Sequence, residues 1–176
     1  MRAFIAIPIP EEVKDNILKL QKVLDKNTFR LTKKEKLHIT IAFLGEIKEE
    51  KIIQIKNELD KIKFNKFILK TKGFGFFPSE TKIRVVWVGL EENKEFLKLQ
   101  HDIRKIFNFK EKLMPHITIA RARNIFFDKD KSLKNKLYNI FIKEDMFKVD
   151  KFILYKSTFD GEEHIYKEIY TFNALN

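Results

Sequence analysis

The sequence has no cysteine, only five glycines and four prolines, and no long unbroken run of apolar residues. The first absence excludes a disulfide framework, a thiolate metal site and a cysteine nucleophile, and leaves the compartment open. Scarce glycine and proline argue against long flexible linkers. The 176 residues are therefore expected to form one compact domain, or two small lobes sharing a core. No stretch approaches the roughly 18 consecutive apolar residues of a membrane-spanning helix. The opening residues Met1 to Pro10 are apolar but short, broken by Pro8 and without a small-residue cleavage pattern. They read as a first β-strand and not as a secretion signal, so the default expectation is a cytoplasmic chain with no membrane association. Negative charge is also in deficit. Asp and Glu number 25 against 36 Lys and Arg, which gives a net charge of +11 and a sequence pI near 9.6. Such an excess attracts anions, nucleic acid among them, although a solvated lysine-rich surface gives the same number.

What is present is a globular composition, 44% hydrophobic with 18 Phe, and an internal repeat. Arg2-Ala3-Phe4-Ile5-Ala6-Ile7 precedes a helical stripe of Val13, Ile17, Leu20 and Leu24. Arg84-Val85-Val86-Trp87-Val88-Gly89 precedes a second stripe of Phe96, Leu99, Ile103 and Ile106. The spacings of three and four predict amphipathic helices. Each unit then runs into a His-Ile-Thr-Ile-Ala segment, beginning at His38 and at His116. A second helix follows each, carrying Ile52, Ile55, Leu59 and Ile62 in one case and Leu133, Leu137 and Ile140 in the other. Each half closes on an apolar extended run, Phe67 to Lys70 and Phe152 to Tyr155. Thr28 to Leu31 adds a strand before the first histidine, and residues 109–113 are the matching candidate in the second half. Each half, about 1–80 and 81–176, thus reads β-α-β-β-α-β, a ferredoxin-like order. Asp160-Gly161 marks a closing hairpin, with a strand near 165–172. Two such halves pack about a pseudo-twofold axis, and clefts form at such seams.

The His-containing segments alternate. Strict period two puts Leu37, Ile39, Ile41 and Phe43 on one face and His38, Thr40 and Ala42 on the other. Ile117 and Ile119 turn inward likewise, with His116, Thr118 and Ala120 outward. A single strand histidine is usually only a half-exposed polar residue. Two of them, each followed two positions later by Thr in equivalent places of a duplicated chain, point to chemistry. In-line displacement at phosphorus needs a base on the entering oxygen and an acid on the leaving one. Imidazoles titrate near neutrality and supply both. Threonine hydroxyls donate to the non-bridging oxygens where charge builds up. No metal or other cofactor is needed for this. Metal binding by the histidine pair is the competing reading, but a catalytic site wants a third Asp, Glu or His ligand and the segments offer Thr. His101 and His164 read as surface residues.

These motifs resemble the two-histidine phosphoesterase superfamily, and within it the RNA 2′,3′-cyclic phosphodiesterase (2′-5′ RNA ligase) family. The resemblance is carried by His38-Ile39-Thr40-Ile41-Ala42-Phe43-Leu44-Gly45-Glu46 and Pro115-His116-Ile117-Thr118-Ile119-Ala120-Arg121, and supported by Arg2 to Ala6, Gly73 to Pro78 and Arg84 to Leu90. It implies a bilobal α/β (α+β) fold with antiparallel sheets around a central cleft, the duplicated halves each giving one histidine. It implies hydrolysis of an RNA 2′,3′-cyclic phosphate to a 2′-phosphate end, without cofactor. His38 would be the acid on the leaving O3′ and His116 the base on water, roles that the near-identical segments themselves do not distinguish. Thr40, Thr118 and Arg121 would hold the phosphate. Strict alternation, however, places Arg121 opposite to His116, so its participation requires the strand to end or bulge near Ala120. Phe43 occupies the equivalent place in the first half.

For holding RNA, Phe76, Phe77 and Tyr155 are candidate stacking platforms, with core packing as the competing role. Arg30, Lys33, Lys34 and Lys36 are candidate phosphate contacts, with a solvated loop as the alternative. Two other functions compete: 2′-5′ RNA ligation by the reverse chemistry, and an RNA-binding module without catalysis. One chain supplies both histidines, so a monomer suffices.

Overall fold

The computed structural model describes residues 1–110, 113–140 and 144–175. Strand β1 (Arg2–Pro8) leads into helix α1 (Glu11–Gln21), then β2 (Phe29–Leu31) and β3 (His38–Glu46). Next come α2 (Ile52–Leu59), β4 (Phe67–Pro78) and β5 (Lys82–Leu90), followed by α3 (Lys94–Ile106) and β6 (His116–Phe127). The chain ends with α4 (Ser132–Ile140), β7 (Met146–Val149), β8 (Lys151–Phe159) and β9 (His164–Asn173). The stripes set the helices. Val13, Ile17, Leu20 and Leu24 are buried, as are Phe96, Leu99, Ile103, Leu133 and Leu137. Asn93 caps α3 by accepting from the Phe96 amide at 2.8 Å, which satisfies one of the free donors of the first turn.

One antiparallel sheet runs in the order β7-β4-β5-β6-β3-β1-β8-β9, with β2 joined to β6. The two histidine strands are its central neighbours, and they meet where Ile39 faces Ile117. Both isoleucines are fully buried, each contributing about 1.5–3 kcal/mol of apolar burial. The closing strands cross over. β4 pairs with β5, and β8 pairs with β1. Each side of the seam is thus built from both stretches of chain. The hairpin at Asp160-Gly161 forms as expected, with Gly161 at φ 106° and β9 beside β8.

One expectation holds and one changes. The early strand β2 lies beside β6, the second histidine strand, with Phe29 across from Ala122 and Leu31 across from Ala120. Its matching candidate at 109–113 is not a strand at Phe109, Lys110 or Leu113, and residues 111 and 112 lie outside the described residues.

Gly75 on β4 faces Trp87 on β5. A Cβ at Gly75 would collide with the Trp87 ring atoms Cζ2, Cη2 and Cε2. The missing side chain is what lets the indole lie across the neighbouring strand. Gly75→Ala should therefore displace the ring and destabilise the fold by about 1–3 kcal/mol. Urea unfolding measures this, and an unchanged midpoint would contradict the packing described.

Candidate active site

Burial of Ile39 and Ile117 sends His38, Thr40, His116 and Thr118 to the opposite face of the sheet. The antiparallel register at that pair sets His38 across from Thr118 and His116 across from Thr40. Each ring is anchored in the same way. His38 Nδ1 donates to the Lys36 carbonyl at 2.7 Å, and His116 Nδ1 donates to the Met114 carbonyl at 2.7 Å. Both acceptors lie two residues upstream. That fixes the neutral tautomer with its lone pair on Nε2, and the Thr40 hydroxyl donates to His38 Nε2 at 3.1 Å.

The alternation expected beyond the threonines is broken in both strands. Ala6 pairs with Thr40 and Ile5 with Ala42, so Ile41 is an extra residue. Trp87 pairs with Thr118 and Val86 with Ala120, so Ile119 is extra. Each is a β-bulge, which turns two consecutive residues to one side. Ile41, Ala42, Ile119 and Ala120 are all fully buried. This corrects the outward placement of Ala42 and Ala120 and the inward placement of Phe43, which is 57% exposed. The same phase change brings Arg121 onto the histidine face. Its charge reaches both imidazoles and Tyr166.

Aromatic rings wall the site. Phe4 lies 5.1 Å from the His38 ring, and Tyr166 meets His38 edge-on at 5.6 Å. Phe4 stacks on Tyr155 at 5.1 Å. On the other side Phe77 meets His116 edge-on at 5.1 Å and leans on Trp87. Of the three platform candidates, Phe76 is core, Phe77 contacts a histidine, and Tyr155 backs Phe4. Phe4 and Tyr166 were missed by sequence reading. Phe4 sits among ordinary strand residues, and Tyr166 reaches the site only through the β1-β8-β9 pairing. Phe77, Pro78, Arg84, Val85, Arg121 and Ala122 line an adjoining groove of about 500 Å³. His101 and His164 are exposed, as expected. Among the described residues no three His, Asp or Glu side chains gather as a metal-binding group.

Burial holds both imidazoles below their ordinary range. It pushes His38 down to about 4, with the charges of His116 and Arg121 acting in the same direction and the Lys36 carbonyl against it. His116 is lowered by burial and by Arg121, against its bond to Met114. Burial raises Tyr155, to about 12, and Tyr166, so both phenols keep their protons.

The family described as LigT-like phosphoesterase matches residues 7–87. A relative from Methanocaldococcus jannaschii, named RNA 2′,3′-cyclic phosphodiesterase, is 36% identical over 177 residues. The match covers 96% of this chain and 98% of the relative. A protein of the same name from Thermotoga maritima is also 36% identical, with 97% and 94% covered. The chain belongs to the LigT-like, two-histidine phosphoesterase family. Its fold is that of the LigT-like enzymes: Escherichia coli LigT complexed with 3′-AMP superposes with a TM-score of 0.80 at 24% identity, covering 99% of this chain and 98% of that one.

In this two-histidine phosphoesterase the depressed His38 has a consequence for stability. The folded group titrates near 4 and the unfolded one near 6.5. Between those values the unfolded chain binds more protons, so His38's contribution is intact above pH 6.5 and is lost as pH falls towards 4. The loss is about 3 kcal/mol. His38→Asn should therefore lose less stability between pH 7 and pH 4.5 than the parent does. Urea midpoints at the two pH values measure the difference, in which any fixed packing cost cancels. Equal losses in both proteins would refute it.

Proposed function

We propose that the chain hydrolyses RNA 2′,3′-cyclic phosphate ends to 2′-phosphate ends, using two imidazoles and no metal. The observation that carries this reading is the pair of equally anchored histidines, each with Nδ1 tied to a carbonyl two residues upstream and a threonine two residues on, in a chain alignable end to end with proteins named for that activity. One neutral imidazole takes a proton from the attacking water as oxygen bonds to phosphorus. The bond from phosphorus to O3′ breaks, and the protonated imidazole gives its proton to O3′. Solvent exchange then restores the starting charges. The family resemblance makes His38 the acid and His116 the base. Thr40, Thr118 and Arg121 hold the non-bridging oxygens.

Two further features support RNA as the substrate. Phe43 stands exposed on the site face, where a base of any identity can stack. The chain carries a net charge of +11. Both histidines belong to one chain, so a monomer is sufficient for activity.

The test is product analysis on a short oligoribonucleotide ending in a 2′,3′-cyclic phosphate, in excess EDTA. Turnover to a 2′-phosphate with a bell-shaped pH profile is expected, and His38→Ala or His116→Ala should each reduce kcat by about 10²–10⁴. Loss of activity in EDTA would overturn the metal-free mechanism, and a 3′-phosphate product would overturn the choice of leaving oxygen. Joined strands on adding a 5′-hydroxyl RNA would favour ligation. RNA binding without turnover would favour a binding module.

A further inference from the structure

The four basic residues before the first histidine have unlike surroundings. Lys33 and Lys36 both contact Glu163, at 2.7 and 2.6 Å. Lys34 bridges Glu11 at 3.1 Å and Asp15 at 2.5 Å. Each of the three lysines thus contacts a carboxylate, Lys33 and Lys36 sharing one. Among the described residues Arg30 has no ion pair or hydrogen bond, and neither has Arg121.

These two arginines face each other. β2 joins β6 with Arg30 directly across from Arg121. Phe29 and Ala120 on either side are buried, so both guanidinium groups lie on the opposite face, which is the histidine face. Like charges directly opposite on neighbouring strands repel, with Cβ atoms only about 5 Å apart. The same segment matches each of its lysines with a carboxylate, yet leaves this pair bare. An anion between the two removes the repulsion, and the planar guanidinium fork suits phosphate oxygens. Arg121 is near both imidazoles. Arg30 stands one strand further out, about 4.8 Å away.

We infer that Arg30, facing Arg121 across β2 and β6, binds the internucleotide phosphate next to the terminal cyclic phosphate, so that an RNA strand is preferred over a mononucleotide. This rests on the function proposed above. It adds a subsite for a second phosphate, distinct from the one being cleaved.

The experiment compares kcat/KM for a short oligoribonucleotide 2′,3′-cyclic phosphate with that for adenosine 2′,3′-cyclic phosphate. The proteins are the parent, Arg30→Ala and Arg30→Lys. Arg30→Ala should lower the oligonucleotide-to-mononucleotide ratio roughly tenfold, and Arg30→Lys should restore part of it. The salt dependence of the oligonucleotide reaction should become shallower by about 0.7 in log-log slope, the value for one phosphate contact on a single strand. The thermal midpoint of Arg30→Ala at low salt should equal or exceed the parent's, since one of two repelling charges is gone. An unchanged ratio and slope overturn the inference, and so does an equal fall for both substrates, which would assign Arg30 to the reacting phosphate or to folding. Turnover of neither substrate by the parent overturns the proposed function and the inference with it.

Discussion

Ile39 and Ile117 meet at the centre of the sheet, and the positions of both histidines and both threonines follow from their burial. A strand side chain points opposite to its neighbours, so sinking these two isoleucines raises His38, Thr40, His116 and Thr118 together. The arrangement needs no separate scaffold. A one-residue slip in either strand would turn its histidine into the core and expose its isoleucines, and the apolar burial at risk opposes that slip. The crossing-over of β4 and β8 supports the same junction, because each histidine strand is flanked by a partner that is itself tied to the other half of the chain.

The bulges supply what a regular strand cannot. Each turns an isoleucine and an alanine inward in succession, Ile41 with Ala42 and Ile119 with Ala120. All four are fully buried, and the single methyl of alanine adds little volume to that crowded step. The deviation is present in both halves, yet it delivers different side chains to the surface. One half presents Phe43 and the other Arg121. A symmetric backbone therefore produces a cleft with an aromatic side and a cationic side, as a nucleotide with its apolar base and charged phosphate requires.

The repeat, the helix stripes and the His-Ile-Thr-Ile segments were legible because each is a local pattern with a fixed period. The bulges were not. Ile41 and Ile119 are ordinary strand residues, and only the register against β1 and β5 reveals that each is one too many. The difficulty over Arg121 located the anomaly within a residue or two, since a strand that obeyed alternation would have kept that arginine away from His116. Tyr166 and the fates of the four basic residues were illegible for a different reason. Glu163 lies more than a hundred residues from Lys33 and Lys36 in sequence, and nothing in the local pattern separates those lysines from Arg30. Charge was readable as a sum; its pairing was set by topology.

The histidines pose a last problem of magnitude. Burial lowers both imidazoles against the pull of their anchoring carbonyls, and His38 titrates near 4 among protein groups alone. Proton donation to a leaving oxygen requires one imidazolium at neutral pH. Two unit charges about 4 Å apart interact by about 4 kcal/mol at an effective dielectric of 20. That corresponds to roughly three pKa units. A phosphate anion seated between the imidazoles and Arg121 is thus large enough in effect to return His38 to the neutral range, offsetting the burial and the two positive neighbours that depress it. On the proposed function, the group to be cleaved is also the group that charges its acid. The proton is taken up only when a phosphate is in place, and the burial that suppresses His38 otherwise is what makes the coupling strong.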